Sequence, residues 1–230
     1  MSFILNIETS TKTCSISIGN KGNLFGFKEI KSDQFVHGEK LHQMIKDLIA
    51  EKKISLIEIS AIAVASGPGS FTGLRIGVAT AKGLAYALKA PLISIITTDL
   101  MIECYHPRKN IQNSIIFPMI DARRNEVYTA GYNIQKEMIS NVNAQIIDEE
   151  FLKSLDKYDQ IYFVGEGAKK LYGKINQPNL VIESFHLNSA SSMVKLSYNK
   201  FLKNQFEDIA YFNPFYLKDF IPHKKNHSPT

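Results

Sequence analysis

Residues 66 to 77 read SGPGSFTGLRIG, with four glycines and a proline set between an apolar run, AIAVA, and a long stretch of small residues. A glycine-rich turn in such a place can cradle phosphate, because the free amides and dipole of a helix N-terminus attract anions. The spacing argues against that chemistry. A P-loop needs a second glycine five positions on, and Thr72 and Leu74 stand there relative to Gly67 and Gly69. The dinucleotide fingerprint needs its third glycine where Thr72 stands. The motif is therefore expected to set a tight turn, with Gly67 and Gly69 at positive φ around Pro68 and with Ser70 or Thr72 capping the next helix.

Two other groups carry charge in a suggestive pattern. Glu8 precedes Thr9, Ser10 and Thr11, and an acid before a hydroxyl-rich hairpin can hold metal and phosphate. The glycine that would let a phosphate approach the hairpin backbone is missing, so nucleotide binding is not expected there. Asp121-Ala122-Arg123-Arg124-Asn125-Glu126 places half of the chain's four arginines beside two acids at a turn. Two readings stay open: an exposed turn with ion pairs worth under about 1 kcal/mol, or guanidinium groups positioned for phosphate or carboxylate. Arg75, inside the glycine motif, joins Arg123 and Arg124 as a candidate anion contact.

His37 and His42, five residues apart, fall about 140° apart on a helix and are expected at the surface or at a cap. His106, His186, His223 and His227 are read as scattered, and no metal site is expected. None of the serines lies in Gly-x-Ser-x-Gly, which argues against a nucleophilic hydrolase. No catalytic residue is assigned.

These residues need elements to hold them. FILNI, TCSISI and NLFGFKEI read as three strands, the second by its alternation of Cys14, Ile16 and Ile18 with small polar residues. Leu41, Met44, Ile45, Leu48 and Ile49 recur at helical spacing over 37–50. Ser55 to Glu58 has capping-box spacing, AIAVA reads as a buried strand, 71–89 as a helix, PLISI as a strand and TTDLMIECY as a short helix. The pattern then restarts less regularly, with SIIFPMI, EVYTAGY, QIYFVG and LVIE as strands and SASSMVKLSYNKFLKN as a helix. The expected division is a first lobe over 1–108, a reduced second lobe over 109–221 and a frayed basic tail over 222–230. Within the long helix Gly73, Gly77, Ala81 and Ala85 recur every four residues. Glycine inside a helix costs up to about 1 kcal/mol, so this stripe calls for a close contact, on the chain's own sheet or on another subunit.

The 230 residues, 44% of them hydrophobic and 21% charged, suffice for a globular core. The longest apolar stretch is broken by Lys82, Lys89 and Pro91, so no membrane span is expected, and MSFILNIETS reads as a first strand rather than a signal peptide. Cytoplasm is the expected compartment. Cys14 and Cys104 are expected as buried thiols. A net charge of +5 and a pI near 9.0 suit an anionic partner only weakly.

SGPGSFTGLRIG after a buried strand, IETST at the start, DARRNEVY in the second half and FYLKDF near the end together resemble the TsaB (YeaZ) family of bacterial tRNA-modification proteins. The resemblance implies an α/β, actin-like and ribonuclease-H-like fold of two βββαβαβα-type lobes. It implies a non-catalytic role in forming N6-threonylcarbamoyladenosine at position 37 of tRNAs that read codons beginning with A. The partners implied are a TsaD-like paralogue that performs the transfer, a TsaE-like ATPase and tRNA through the complex. A homodimer of the isolated chain is a further expectation. ATP, metal and threonylcarbamoyl adenylate are expected on the partner subunits and none on this chain. Docking is expected through the helices of the first lobe, by Leu41, Met44, Ile45, Leu48, Gly73, Gly77, Ala81 and Ala85, with Gly67, Pro68, Gly69 and Ser70 as a structural turn. The alternative is an active actin-fold phosphotransferase or an M22-type glycopeptidase.

Overall fold

The computed structural model describes residues 2–32, 36–109, 111–175 and 177–218. The strands β1 (Phe3–Glu8), β2 (Cys14–Asn20) and β3 (Asn23–Ile30) form an antiparallel meander. The tight link between β2 and β3 places Lys21 and Gly22 at positive φ, 50° and 78°, which matches the right-handed strand twist. After α1 (His37–Glu51), β4 (Ile59–Gly67) joins β1 in parallel. After α2 (Phe71–Leu88), β5 (Leu92–Ile96) joins β4 in parallel, giving the order β3-β2-β1-β4-β5.

Period-two alternation assigns each strand residue to a face. Leu5, Ile7, Ile16, Ile18, Ile62 and Val64 pack under α1 and α2 with Leu41, Leu48, Ala81 and Ala85. Ile4, Ala61, Ala63, Ile93 and Ile95 face the other way. Cys14 is buried in the first cluster, whereas Cys104, expected as buried, is only half-buried beside Ser192.

The chain continues through α3 (Thr97–Cys104), β6 (Ser114–Pro118), β7 (Ile120–Asp121), β8 (Glu126–Thr129), β9 (Asn143–Ile146), α4 (Glu149–Lys153), β10 (Gln160–Val164), β11 (Leu180–Glu183) and α5 (Met193–Leu202). β6, β10 and β11 form a parallel sheet in the order β11-β10-β6, and β7-β8-β9 a separate antiparallel one. SIIFPMI, expected as one strand, divides after Pro118: β6 and β7 enter different sheets. The antiparallel neighbours of β6 have shrunk to the single bridges Ile116–Tyr132 and Tyr132–Met138. That is how the second half is reduced.

The chain does not stay in the second half after β11. Ala190 is bonded to β2 on both sides, its N–H donating to Ser15 Oγ at 3.0 Å and its carbonyl accepting from Ser17 Oγ at 2.7 Å. Helix α5 then packs on β5, β1 and β2. The expected second lobe of 109–221 thus lends its last helix to the first sheet, where it joins α3 in covering the face that carries Ile4, Ile93 and Ile95. The expected tail over 222–230 lies outside the described residues. Among the described residues, no helix is long and apolar enough to cross a membrane.

Candidate functional site

At the end of β4 the glycine motif turns into α2 through a cis Gly67-Pro68 bond, with Gly67 at φ +117° and Ser70 Oγ accepting from the Gly73 N–H at 3.2 Å. Ser70 is therefore the cap rather than Thr72. Gly69, expected at positive φ, is not among the positive-φ glycines. It is small for another reason: a Cβ there would lie 2.3 Å from the Ser10 carbonyl oxygen. The Ser70 N–H donates to that same oxygen at 2.6 Å. The amides of Ser70, Gly73 and Leu74 bond inside the chain.

The stripe on α2 continues this contact. A Cβ on Gly73 would meet the Thr9 carbonyl oxygen at 2.1 Å, and one on Gly77 would meet Thr9 Oγ1 at 2.2 Å. Thr9 Oγ1 donates to the Gly73 carbonyl at 2.8 Å. Ala81 and Ala85 are fully buried in the first core, with Leu41, Met44, Ile45 and Leu48 beside them at 0 to 6% exposure. The assignment of these eight side chains to a partner interface is corrected on this point: their space is filled by the chain's own hairpin and core.

A different face of the same helices is uncovered among the described residues. Ala79, Gly83 and Ala87, again four apart, are exposed, and a Cβ on Gly83 would meet nothing within 4 Å. Two residues along a helix turn it by about 200°, so Ala79 lies opposite Gly77 and Ala81. Tyr86 stands 79% exposed on this side. Between α1 and α2 runs a largely apolar groove of about 370 Å³, lined by His42, Lys46, Ile49, Ala50, Leu56 and Leu84 and, alone of the eight side chains above, by Ile45.

Behind the glycine motif, the β1–β2 turn encloses Glu8. Its carboxylate is fully buried, with Oε1 accepting from the Ser10 N–H at 2.7 Å and from Ser10 Oγ at 2.5 Å. Asn188 Nδ2, from the segment returning to the first sheet, donates to Ser10 Oγ at 3.3 Å. Burial pushes the Glu8 carboxyl up to about 7, against the lowering effect of the Ser10 bonds. His37, expected at the surface or a cap, is 1% exposed, with Nε2 at 2.8 Å from the Thr11 carbonyl. His42 is exposed, as expected. No three His, Cys, Asp or Glu side chains converge as metal ligands among the described residues. The reading of scattered histidines overlooked that His223 and His227 stand four apart. Both lie outside the described residues.

The arginine pair sits on the turn between β7 and β8, with Arg123 and Arg124 at φ 64° and 48° and both exposed. Asp121 Oδ1 accepts from the Arg123 N–H at 2.7 Å. The neighbouring acids are claimed by lysines, Asp121 by Lys170 and Glu126 by Lys218. Arg75 is on the other half, 4.1 Å over the Phe71 ring, with Nε donating to Tyr216 Oη at 3.4 Å.

Sequence reasoning missed two features. The segment from Phe206 to Lys218 is a strap over the glycine motif: the Phe215 N–H donates to the Ser66 carbonyl at 2.7 Å, and Lys82 Nζ donates to the carbonyls of Ala210 and Phe212. His186 Nδ1 pairs with Glu166 Oε1 at 3.0 Å. Twenty residues separate that pair, so no local spacing could signal it.

The family model described as TsaD, tRNA N6-adenosine threonylcarbamoyltransferase, matches residues 33–221. The chain is 27% identical to the tRNA threonylcarbamoyladenosine biosynthesis protein TsaB of Haemophilus influenzae over 96% of each chain. It is 28% identical to the protein of that name in Escherichia coli, over 96% of this chain and 97% of that one. The solved structure of YeaZ from Pseudomonas aeruginosa superposes with a TM-score of 0.75 at 24% identity, covering 94% of this chain and all of that one, so the two share a fold. With the sheet order, the glycine turn and the matched span in agreement, the chain belongs to the TsaD family of tRNA N6-adenosine threonylcarbamoyltransferases, among its TsaB (YeaZ) members.

Proposed function

We propose that the chain acts in the biosynthesis of N6-threonylcarbamoyladenosine at position 37 of tRNAs reading codons that begin with A, as a non-catalytic partner of a TsaD-like paralogue. A TsaE-like ATPase and tRNA complete the assembly. ATP, metal and threonylcarbamoyl adenylate are bound by the partner subunits, in the cytoplasm.

One observation carries this reading: the chain's own Ser10 carbonyl sits against Gly69 and takes the Ser70 amide, where a phosphate-binding relative would need open backbone. Lacking that cradle, the chain has an exposed apolar helical face to offer instead. We assign docking of the paralogue to the outward side of α1 and α2, on Ala79, Gly83, Tyr86 and the groove beside Leu84. Small residues let a partner helix approach closely, and the groove supplies apolar area to bury. An isologous contact through the same face would give the homodimer proposed for the chain when the paralogue is absent.

Reconstitution tests the reading. With the paralogue, the ATPase, ATP, threonine, bicarbonate, the enzyme that makes the adenylate and unmodified tRNA, modification should require this chain, and the chain without the paralogue should give none. Modification by the chain without its paralogue, or full activity without the chain, overturns it.

A further inference from the structure

We propose that Arg75, Arg123 and Arg124, linked by the strap through Lys218, form one strip that binds the phosphate backbone of RNA. The inference rests on the reading that tRNA reaches the complex, and it names the surface on this chain that meets it.

Three observations converge. First, the arginine charges are uncompensated: among the described residues no carboxylate pairs with Arg75, Arg123 or Arg124, because Lys170 takes Asp121 and Lys218 takes Glu126. Second, the groups are held in place. The 121–126 turn is fixed by the Ala122 N–H on the Glu126 carbonyl, the Glu126 N–H on the Arg123 carbonyl and the Arg123 N–H on Asp121, while Arg75 is held by Phe71 and Tyr216. Third, the strap joins the two ends. Tyr216 touches Arg75, and Lys218, two residues on, reaches Glu126 and lies 5.9 Å over the Tyr128 ring. Two residues span at most about 7 Å, so the strap links Arg75 to the turn that carries Arg123 and Arg124 by a short stretch of chain.

The chemistry selects the ligand. Guanidinium forks bind phosphate oxygens in pairs, and these groups are spread along an exposed face rather than gathered in a pocket, which suits a repeating polyanion. Of the aromatic rings present, Phe71 and Tyr216 pack on each other at 4.8 Å and Tyr128 lies under Lys218, so the strip reads backbone rather than sequence.

The test measures anisotropy of labelled unmodified tRNA with the assembled complex between 50 and 200 mM salt. The double variant Arg123→Asn, Arg124→Asn keeps residues that tolerate positive φ. It should lose about tenfold or more in affinity at low salt, and the slope of log affinity against log salt should fall by about two. Glu126→Gln, which frees Lys218, should strengthen binding. Lys153→Gln with Lys157→Gln, also exposed lysines, should change it less than about twofold. Unchanged affinity and slope in the arginine variant, or an equal loss in the lysine variant, overturns the strip alone. A variant that no longer assembles with the paralogue marks a protein contact and also overturns it. No measurable tRNA binding by the wild-type complex overturns the strip together with the reading it rests on.

Discussion

Glu8 shows what one buried carboxyl does to the pH response of the fold. Its pKa rises to about 7 in the folded chain because burial penalises the anion. Below about pH 4.5 the group is neutral folded or unfolded, and its contribution to stability is fully present. As pH rises through about 7 the unfolded chain has already ionised, and about 3 kcal/mol of stability is withdrawn. Glu8→Gln should flatten that fall, a difference read from denaturant unfolding of both proteins at pH 5 and pH 8; parallel pH profiles would refute the assignment. Glycines near this hairpin are under a different constraint. Gly73→Ala places a methyl against the Thr9 carbonyl and should destabilise by about 2 kcal/mol, in the range of overpacked cores. The sequence showed Glu8 as an acid beside hydroxyls, and it showed the turn at Gly67. That the hairpin fills the glycine turn was not legible, because residues 9–10 and 69–77 meet only through the sheet order. His37 escaped for the same reason: its partner, the Thr11 carbonyl, is set by tertiary packing and not by helical spacing.

Helix α2 carries two stripes of small residues at the same period, and its composition alone does not say which is inside. Gly73, Gly77, Ala81 and Ala85 were legible as a contact surface because glycine in a helix needs a reason. Their direction was decided by the hairpin and by α1, which cover that side. Substitutions separate the two stripes. Ala81→Arg forces a charge into a fully buried position and should leave little folded protein, seen as lost solubility or a steep drop in melting temperature. Gly83→Arg, in open space, should keep the melting temperature or raise it slightly, since glycine is the poorer helix former, and should abolish capture of the TsaD-like subunit. Retained capture would move the docking face elsewhere. The element pattern of the first half, with its five strands and three helices, was readable from periodicity. The division of SIIFPMI at Pro118 was not, since both pieces are apolar and buried.

At the scale of the molecule, the two halves are laced together by the end of the chain. The segment after β11 supplies Asn188 to the Glu8 hairpin, Ala190 to β2, α5 to the face of the first sheet that α3 also covers and the strap to the glycine motif. Truncation after Asn204 removes the strap, its hold on Ser66 and the Lys82 contacts. It should lower the melting temperature by several degrees while α5 and the strands persist, as measured by circular dichroism; an unchanged melting temperature would make the strap a bystander. The repeat pattern suggested a clean lobe boundary because composition has no marker for a helix that crosses back. This lacing also sets an order of events during synthesis. A ribosome releases the five strands and two helices of the first sheet long before α5 exists, and at bacterial elongation rates the gap between Ile96 and Leu202 is on the order of ten seconds. Throughout that interval the sheet face containing Ile4, Ile93 and Ile95 has only α3 to cover it, so the part α5 will occupy makes the nascent chain a natural client for whatever shields apolar surface at the exit tunnel.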